Sequence, residues 1–140
     1  MLVDTFNNIL KYEETSLKAI MNIPITITEA HMIEAVGRQE NEEATVSKIA
    51  SLLNIAMPTA TIAVKKLESK GFIKKAPCDT DGRCTIISLT DLGKKIDRAH
   101  RLFHEKMVRN ISRQFLDSEK EVLLTAIDKL NEFFKAKVEA

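Results

Sequence analysis

The chain has 140 residues, 44% of them apolar, and a net charge of +1. This length and composition predict one domain with a substantial hydrophobic core. No apolar run approaches the length of a membrane span, and Asp4, Asn7 and Asn8 interrupt any signal peptide, which indicates a cytoplasmic protein. No nucleophile with a base, pair of catalytic carboxylates or phosphate loop can be assembled from the sequence, which argues against an enzyme.

Two helices are predicted in the first 38 residues. The first runs from about Leu2 to Met21. Its apolar side carries Phe6, Ile9, Leu10, Leu17 and Ile20. The second begins near Thr26 or Thr28, since Thr26 and Glu29 have the spacing of a capping box, and continues to about residue 37 or 38.

Two short amphipathic helices follow between residues 45 and 70. In each, apolar residues recur at i, i+3, i+4 and i+7, so each helix has one buried face. These residues are Val46, Ile49, Ala50 and Leu53 in the first helix and Ala60, Ala63, Val64 and Leu67 in the second. Pro58 suits a first helical turn, because its missing N–H costs little there. The short link from Asn54 to Met57 therefore predicts a helix-turn-helix.

The opposite face of the second of these helices is polar and has no acid before Glu68. Hydroxyls and lysines reach base edges and phosphates, and an exposed isoleucine contacts a thymine methyl. The candidate DNA-contacting residues on this helix are Pro58, Thr59, Thr61, Ile62, Lys65 and Lys66, with Ser69 on the same face. We predict that this recognition helix enters the major groove of DNA.

A β-hairpin follows the recognition helix. Gly71 is a predicted helix stop before a strand at residues 72–75, and Thr85 to Leu89 forms the returning strand. A hairpin beside a recognition helix is a wing, and Arg83 at its tip suits an adjacent minor groove. Asp79 or Asp81 is expected to orient that arginine, because an unpaired acid facing phosphates would be repelled.

The small net charge hides an uneven distribution. Residues 61 to 85 contain six basic and three acidic residues, whereas residues 29 to 43 contain five glutamates and one arginine. Lysine-rich stretches are usually solvated faces, so charge alone is weak support for DNA binding. A winged helix used only for protein contacts remains an alternative, but it does not need Thr61, Lys65 and Arg83 directed outward together.

Two long helices are predicted after the wing. The first opens at Thr90 or Asp91 and carries Leu92, Ile96, Ala99, Phe103, Met107 and Ile111. The last begins at Asp117 or Ser118, with Ser118 and Glu121 spaced as a capping box. Its apolar residues are Val122, Leu123, Ala126, Ile127, Leu130 and Phe134. The terminal helices are more apolar than a small core requires, which indicates a partner surface; folding back on their own core is the alternative.

Residues 45 to 93 resemble the winged-helix core of the MarR family of bacterial transcription regulators. The family's wing signature is an Asp, then Asp-Arg-Arg, a strand, Leu-Thr and Gly. It is matched here by Asp79, Asp81, Arg83, Leu89, Thr90 and Gly93, whereas Gly82 replaces the first arginine of the pair. The resemblance covers essentially the whole chain.

This resemblance implies a mainly α fold with a small β-hairpin wing. Within a single domain of residues 1–140, it implies a DNA-binding lobe at about 26–93 and dimerisation helices at about 1–22 and 94–140. It also implies a homodimer that binds a pseudo-palindromic operator, as a repressor, under effector control.

Three histidines raise the question of the effector. His100 and His104 lie one helical turn apart, and such a pair, joined by a third histidine and a carboxylate, can complete a zinc site. Zinc-sensing members of the MarR family use a set that Glu13, His31, His100 and His104 match. Their second metal site has a cysteine and acids in place of Ala19, Ala30 and Ala99 of this chain.

A second branch of the family resembles this chain in FNNILKYEE, ITEAHMIEAVG and HRLFHEKMVRNI. That branch represses fatty-acid-synthesis genes in Gram-positive bacteria, carries the same three histidines, and implies a corepressor acyl chain on acyl carrier protein. No cofactor is then required. The resemblance implies an apolar effector pocket, near Ile33, that involves Glu13, His31, Met32, His100, Phe103 and His104. A third interpretation makes the histidines ordinary helix residues.

Cys78 and Cys84 flank the wing loop and are placed to face each other across the hairpin. A redox switch is one interpretation, because a cross-link there would alter the presentation of Arg83. Cytoplasmic thiols are usually kept reduced, and a metal site would lack a nearby histidine. The sequence leaves the redox role of this pair open.

Overall fold

The computed structural model describes residues 1–78 and 81–140, with residues 81 and 82 described by their backbone alone. These residues form six α-helices and a three-stranded antiparallel sheet, so the predicted mainly α fold with a small wing is confirmed. The helices are α1 (Leu2–Met21), α2 (Ile27–Gly37), α3 (Val46–Leu53), α4 (Met57–Ser69), α5 (Asp91–Ser112) and α6 (Asp117–Val138). The strands are β1 (Glu43–Thr45), β2 (Ile73–Cys78) and β3 (Asp81–Leu89).

The chain forms two compact units, Met1–Phe103 and His104–Ala140. The first contains α1 to α4, the sheet and the first part of α5. The second contains the rest of α5 and all of α6. The predicted single domain, with its DNA-binding and dimerisation parts, stays a prediction.

The sheet has the strand order β1-β3-β2, which places β3 between its two partners. Ala44 of β1 pairs with Ile87, and Ile73 of β2 pairs with Leu89. All four side chains are buried, so one face of the sheet contributes to the core. Strand β1 was absent from the sequence prediction, and β3 begins at Asp81, four residues before the predicted start at Thr85.

Helix α2 lies at the centre of the core. Ala30, Met32, Ile33 and Val36 are each at most 1% exposed. The predicted capping box is confirmed: the Glu29 N–H donates to Thr26 Oγ1, and the Thr26 N–H donates to the Glu29 carboxylate, both at 3.2 Å. The cap satisfies backbone donors at the helix start, where no carbonyl of the helix can accept from them.

Helices α3 and α4 form the predicted helix-turn-helix. Asn54 ends α3 in the left-handed conformation, with a φ of 52°, and α4 begins three residues later with Pro58 in its first turn. Among the described residues, no single helix is both long enough and apolar enough to cross a membrane. Only α3 and α4 taken together have that length and composition, and the chain bends by 112° between them. After α4, Gly71 adopts a φ of +79°, which suits glycine at the predicted helix stop.

The starts of the two long helices differ in how well the sequence predicts them. Thr90 caps α5 as expected, because its Oγ1 accepts from the Gly93 N–H at 3.1 Å. The capping box predicted at Ser118 and Glu121 is wrong. Helix α6 begins at Asp117, and the carboxylate of Glu119 accepts from the Leu116 N–H at 2.8 Å.

Candidate nucleic-acid interface and histidine cluster

The polar face of α4 is exposed, as the helical period predicts. Thr59, Thr61, Lys65 and Lys66 all lie on the surface together with Pro58, and Ile62 is 63% exposed. The opposite face packs into the core through Ala60, Val64 and Leu67. The hydroxyl of Thr61 donates to the Met57 carbonyl at 2.9 Å, which leaves its oxygen free to accept a further hydrogen bond.

The far end of α4 is fixed to α2 by Lys70. Its ammonium donates to the two carboxylate oxygens of Glu29 at 2.7 and 2.9 Å and to the Pro24 carbonyl at 3.2 Å. Glu29 is 8% exposed, but the Lys70 side chain is 33% exposed, so this ion pair is partly shielded from solvent. Lys70 is one of the six basic residues between positions 61 and 85, but in the structure it positions the recognition helix.

The wing is anchored to the same helix. Lys75 of β2 lies with its Nζ 3.2 Å from the carboxylate of Glu68, the first acid along α4. Arg83 of β3 is exposed, as predicted. Asp79 lies outside the described residues and the side chain of Asp81 is not described, so the proposed orientation of Arg83 by either acid stays a prediction.

A groove of about 430 Å³ runs between α4 and the wing. Thr61 of the recognition helix, Ser47 of α3, and Lys75 and Arg83 of the wing all line it. The groove therefore brings hydroxyls and cationic groups from three elements together on one surface. This combination suits a polyanion with hydrogen-bonding groups between its phosphates.

Cys78 and Cys84 are joined by a disulfide, with their Cα atoms 5.3 Å apart. The prediction that they face each other across the hairpin is confirmed. Reduced thiols are expected in the cytoplasm, whereas in the structure both cysteines are oxidised to a disulfide. The cause is the hairpin itself, which brings the Cα atoms of the two residues within 5.3 Å of each other.

A second cluster joins three helices inside the first unit. Glu13 of α1 and His100 of α5 are buried, at 4% and 1% exposure, and His31 of α2 is half-buried. Glu13 Oε1 is hydrogen-bonded to His100 Nε2 and lies 3.5 Å from His31 Nε2. The two imidazole rings stack with centroids 5.8 Å apart.

One candidate ligand atom from each of Glu13, His31 and His100 lies within 4.8 Å of the other two. Two imidazole nitrogens and a carboxylate oxygen are donors that suit zinc. The structure thus brings together three of the four residues of the predicted zinc set. The fourth, His104, is half-buried and belongs to the second unit.

The other residues of the predicted effector pocket occupy different environments. Met32 is part of the core. The ring centroid of Phe103 lies 5.2 Å from the ring centroid of Tyr12. His31 lines a surface groove of about 350 Å³ together with apolar Leu52 and Leu53. The predicted role of Met32 and Phe103 in an effector pocket stays a prediction.

Glu14, beside the cluster in sequence, connects α1 to the start of α2. Its carboxylate accepts from Lys18 Nζ at 2.6 Å and from the Ile27 N–H at 3.2 Å. The Lys18 ammonium, helped by the Ile27 N–H, lowers the pKa of Glu14 below its ordinary value. No sequence pattern predicts this contact, because it joins two helices across the loop between them.

A further buried carboxylate lies where α5 packs near the end of α2. Asp97 is 2% exposed, and its Oδ2 accepts from Arg101 Nη2. This hydrogen bond raises the pKa of Arg101 above its ordinary value. Asp97 Oδ1 is buried and has no hydrogen-bond partner within the described part of the chain.

The known proteins that are similar to this chain include MarR family members and other HTH-type transcriptional regulators. The model of the MarR family matches residues 25–85. The uncharacterised HTH-type transcriptional regulator YhjH of Bacillus subtilis is 30% identical over 101 residues, which are 71% of this chain. The chain spans only 56% of the length of YhjH.

Two solved structures are also similar. Streptococcus pneumoniae FabT in complex with DNA has a TM-score of 0.89 and 30% identity, over 96% of this chain and 93% of that one. ZitR of Lactococcus lactis, a zinc-responsive MarR family member, has a TM-score of 0.64 and 28% identity, over 81% of this chain and 78% of that one.

Proposed function

Because the chain belongs to the MarR family of winged helix-turn-helix transcriptional regulators, we propose that it binds double-stranded DNA as a homodimer and represses transcription from a pseudo-palindromic operator. One observation carries the proposal: Thr61 of the recognition helix and Arg83 of the wing line a single groove. The DNA-bound FabT structure supports the same role. A protein with this role would act in the cytoplasm.

The geometry supports different DNA contacts for the recognition helix and for the wing. Thr61, Ile62 and Lys65 would meet base edges and phosphates in the major groove. Arg83 would enter the adjacent minor groove, where negative potential is concentrated. Lys70 would not contact DNA, because Glu29 and Pro24 already accept all the hydrogen bonds described for its ammonium.

A salt titration of binding to random duplex DNA tests this proposal. Affinity should fall steeply as salt rises, because phosphate contacts release bound counterions. Arg83→Ala and Lys65→Ala should each weaken binding by about 1 to 3 kcal/mol. Lys95→Ala, which removes an exposed lysine of α5, is the matched control and should leave affinity unchanged.

Two outcomes would contradict the proposal at different levels. Unchanged affinity in both Arg83→Ala and Lys65→Ala would show that the DNA-binding face is misplaced. No binding to any duplex at low salt would favour the alternative, a winged-helix module used for protein contacts.

For the effector, we propose a corepressor acyl chain delivered by acyl carrier protein, with fatty-acid-synthesis genes as the regulated set. The resemblance of three segments to that branch of the family supports this choice. The groove beside His31 adds two apolar side chains, Leu52 and Leu53, next to the polar side chains of Glu34, Arg38 and Gln39. The two leucines are the part of this groove that an acyl chain would contact.

Zinc is the second candidate, favoured by the three donor atoms within 4.8 Å of one another. Glu13, His31 and His100 would hold the ion. Bound zinc would supply a positive charge that fixes the three helices carrying these ligands. The similarity to zinc-responsive ZitR supports this candidate.

DNA affinity measured with zinc or with acyl-loaded acyl carrier protein separates the two effectors. Leu52→Gln should abolish a response to the acyl carrier and leave a zinc response intact. His31→Ala should abolish a zinc response, because it removes an accessible ligand. If neither ligand changes DNA affinity, both candidates are wrong, and native mass spectrometry of protein from its own host would identify what is bound.

A further inference from the structure

We propose that Cys78 and Cys84 are a reversible thiol-oxidation site, and that their disulfide increases DNA affinity by holding Arg83 in its binding position. The inference rests on the proposed DNA binding. It concerns a part of the wing that the effector candidates do not use.

The pairing of the strands explains why these two cysteines meet. Pro77 pairs with Thr85, so the next residues along a regular ladder would be Cys78 and Cys84. Their Cα separation of 5.3 Å lies within the range of ordinary disulfides. The hairpin therefore presents the two thiols to each other without a rearrangement of the strands.

The backbone ladder is interrupted at the same place. After Pro77 and Thr85, the pairing shifts, and Cys78 is paired with Asp81. Residues 82–84 of β3, with Arg83 at their centre, therefore lie opposite no residue of β2 in the described register. Pro77 also has no N–H to donate. The disulfide thus restrains the wing where its backbone pairing restrains it least.

The closed loop is short, with the two cysteines six positions apart. Cross-links of short loops remove little entropy from the unfolded chain compared with cross-links of long ones. The effect of the bond on global stability should therefore be small. Its main effect should be local, on the segment that carries Arg83.

This local effect bears on the DNA-binding groove. Cys84 and its neighbour Arg83 line the groove that also contains Thr61 of the recognition helix. In the reduced protein, residues 82–84 would have to be ordered when DNA binds, and this ordering opposes binding. In the oxidised protein the order is already present, so affinity is higher.

The reaction balances with a hydroperoxide as the oxidant. One thiolate attacks the peroxide oxygen, which releases an alcohol or water and leaves a sulfenic acid. The second thiolate attacks that sulfur, forms the disulfide and releases water. The two thiols together lose two electrons to the hydroperoxide, and a dithiol reductant returns the disulfide to two thiols while it becomes a disulfide itself. Both cysteines are half-buried, so small reagents can reach them.

The test compares full-length protein treated with hydrogen peroxide and with dithiothreitol. Alkylation and mass spectrometry should find no free thiol in the first sample and two in the second. At a fixed salt concentration, the oxidised protein should bind the same duplex about 3 to 10 times more tightly. Fluorescence anisotropy of labelled DNA measures both affinities.

Two variants make the comparison specific. Cys78→Ser/Cys84→Ser should bind like the reduced protein and respond to neither reagent. Arg83→Ala keeps both cysteines, but the difference between its oxidised and reduced forms should fall below about twofold, since the group that the disulfide presents is gone. A merely structural disulfide would not lose its effect on DNA affinity in this variant.

The possible failures are distinguishable. Equal affinity of oxidised and reduced wild type, or tighter binding by the reduced form, would overturn this inference and leave the proposed function standing. A disulfide that peroxide does not form, or a redox response that persists in the double serine variant, would also overturn it. Absence of duplex binding in both redox states would overturn the proposed function itself.

Discussion

At Gly37 the absence of a side chain makes room for a buried acid. A Cβ at this position would lie 2.6 Å from Asp97 Oδ2 and 2.8 Å from its carboxyl carbon. Asp97 has little freedom to move away, because it is 2% exposed and accepts from Arg101. The close packing of α2 against α5 at this point therefore depends on glycine.

Gly37→Ala should destabilise the protein by about 1 to 3 kcal/mol, the usual effect of forcing extra volume into a packed site. Helix propensity alone predicts the opposite, since alanine is the better helix former. Urea unfolding measures the difference.

The control for this substitution is Asp97→Ala. In that background the added methyl group of Gly37→Ala meets no carboxylate, so the second substitution should be neutral or stabilising. An equal loss of stability in both backgrounds would show that contact with Asp97 is not the cause.

At the scale of elements, the sequence predicts the helices best where local signals define both their faces and their ends. The bounds of α1 were predicted as the structure has them, and α2 begins at its predicted capping box. The buried and exposed faces of α3 and α4 also follow from helical periodicity. These signals lie within a few residues of the positions that they determine.

The elements that were missed depend on distant partners or on competing local signals. Strand β1 has only three residues, too few for an alternating pattern, and it exists through its pairing with β3 about 40 residues later in the chain. At the start of α6, both Ser118 with Glu121 and Leu116 with Glu119 have a spacing of three. The structure uses the acid of the second pair.

In the candidate sites, too, contacts between residues distant in the sequence were hard to predict. Exposure of Thr61, Lys65 and Arg83 was predictable from periodicity and hairpin pattern. The partner of Lys70 was not, because Glu29 lies 41 positions away and looked like a capping residue only. The meeting of Glu13, His31 and His100 was expected from family resemblance, since no local pattern links residues on three helices.

At the scale of the whole molecule, the terminal helices expose many apolar side chains. Those on α1 that are at least 39% exposed include Leu2, Val3, Phe6, Ile9 and Leu10. Those on α6 that are at least 44% exposed include Val122, Leu124, Ile127, Phe133 and Phe134. Exposed apolar faces of this extent support the proposed homodimer, because the described residues of the same unit leave each of them uncovered.

We expect the wild-type protein to have twice the 15.8 kDa mass of one chain in sedimentation equilibrium at micromolar concentration. Phe6→Glu should shift the protein towards the monomer, since it places a charge on the apolar face of α1. Lys95→Glu, an exposed change on α5, serves as the control and should remain dimeric. A monomeric wild-type protein would contradict the proposed assembly.

The ion pair of Lys70 has a mechanical consequence. It ties the recognition helix to Glu29, and Glu29 shares α2 with His31, the accessible member of the histidine cluster. A ligand that tilts α2 would therefore act on the end of the recognition helix through this ion pair. In the proposed dimer, we expect a small movement of α2 at His31 to change the distance between the two recognition helices. The ion pair between Lys70 and Glu29 would transmit this movement.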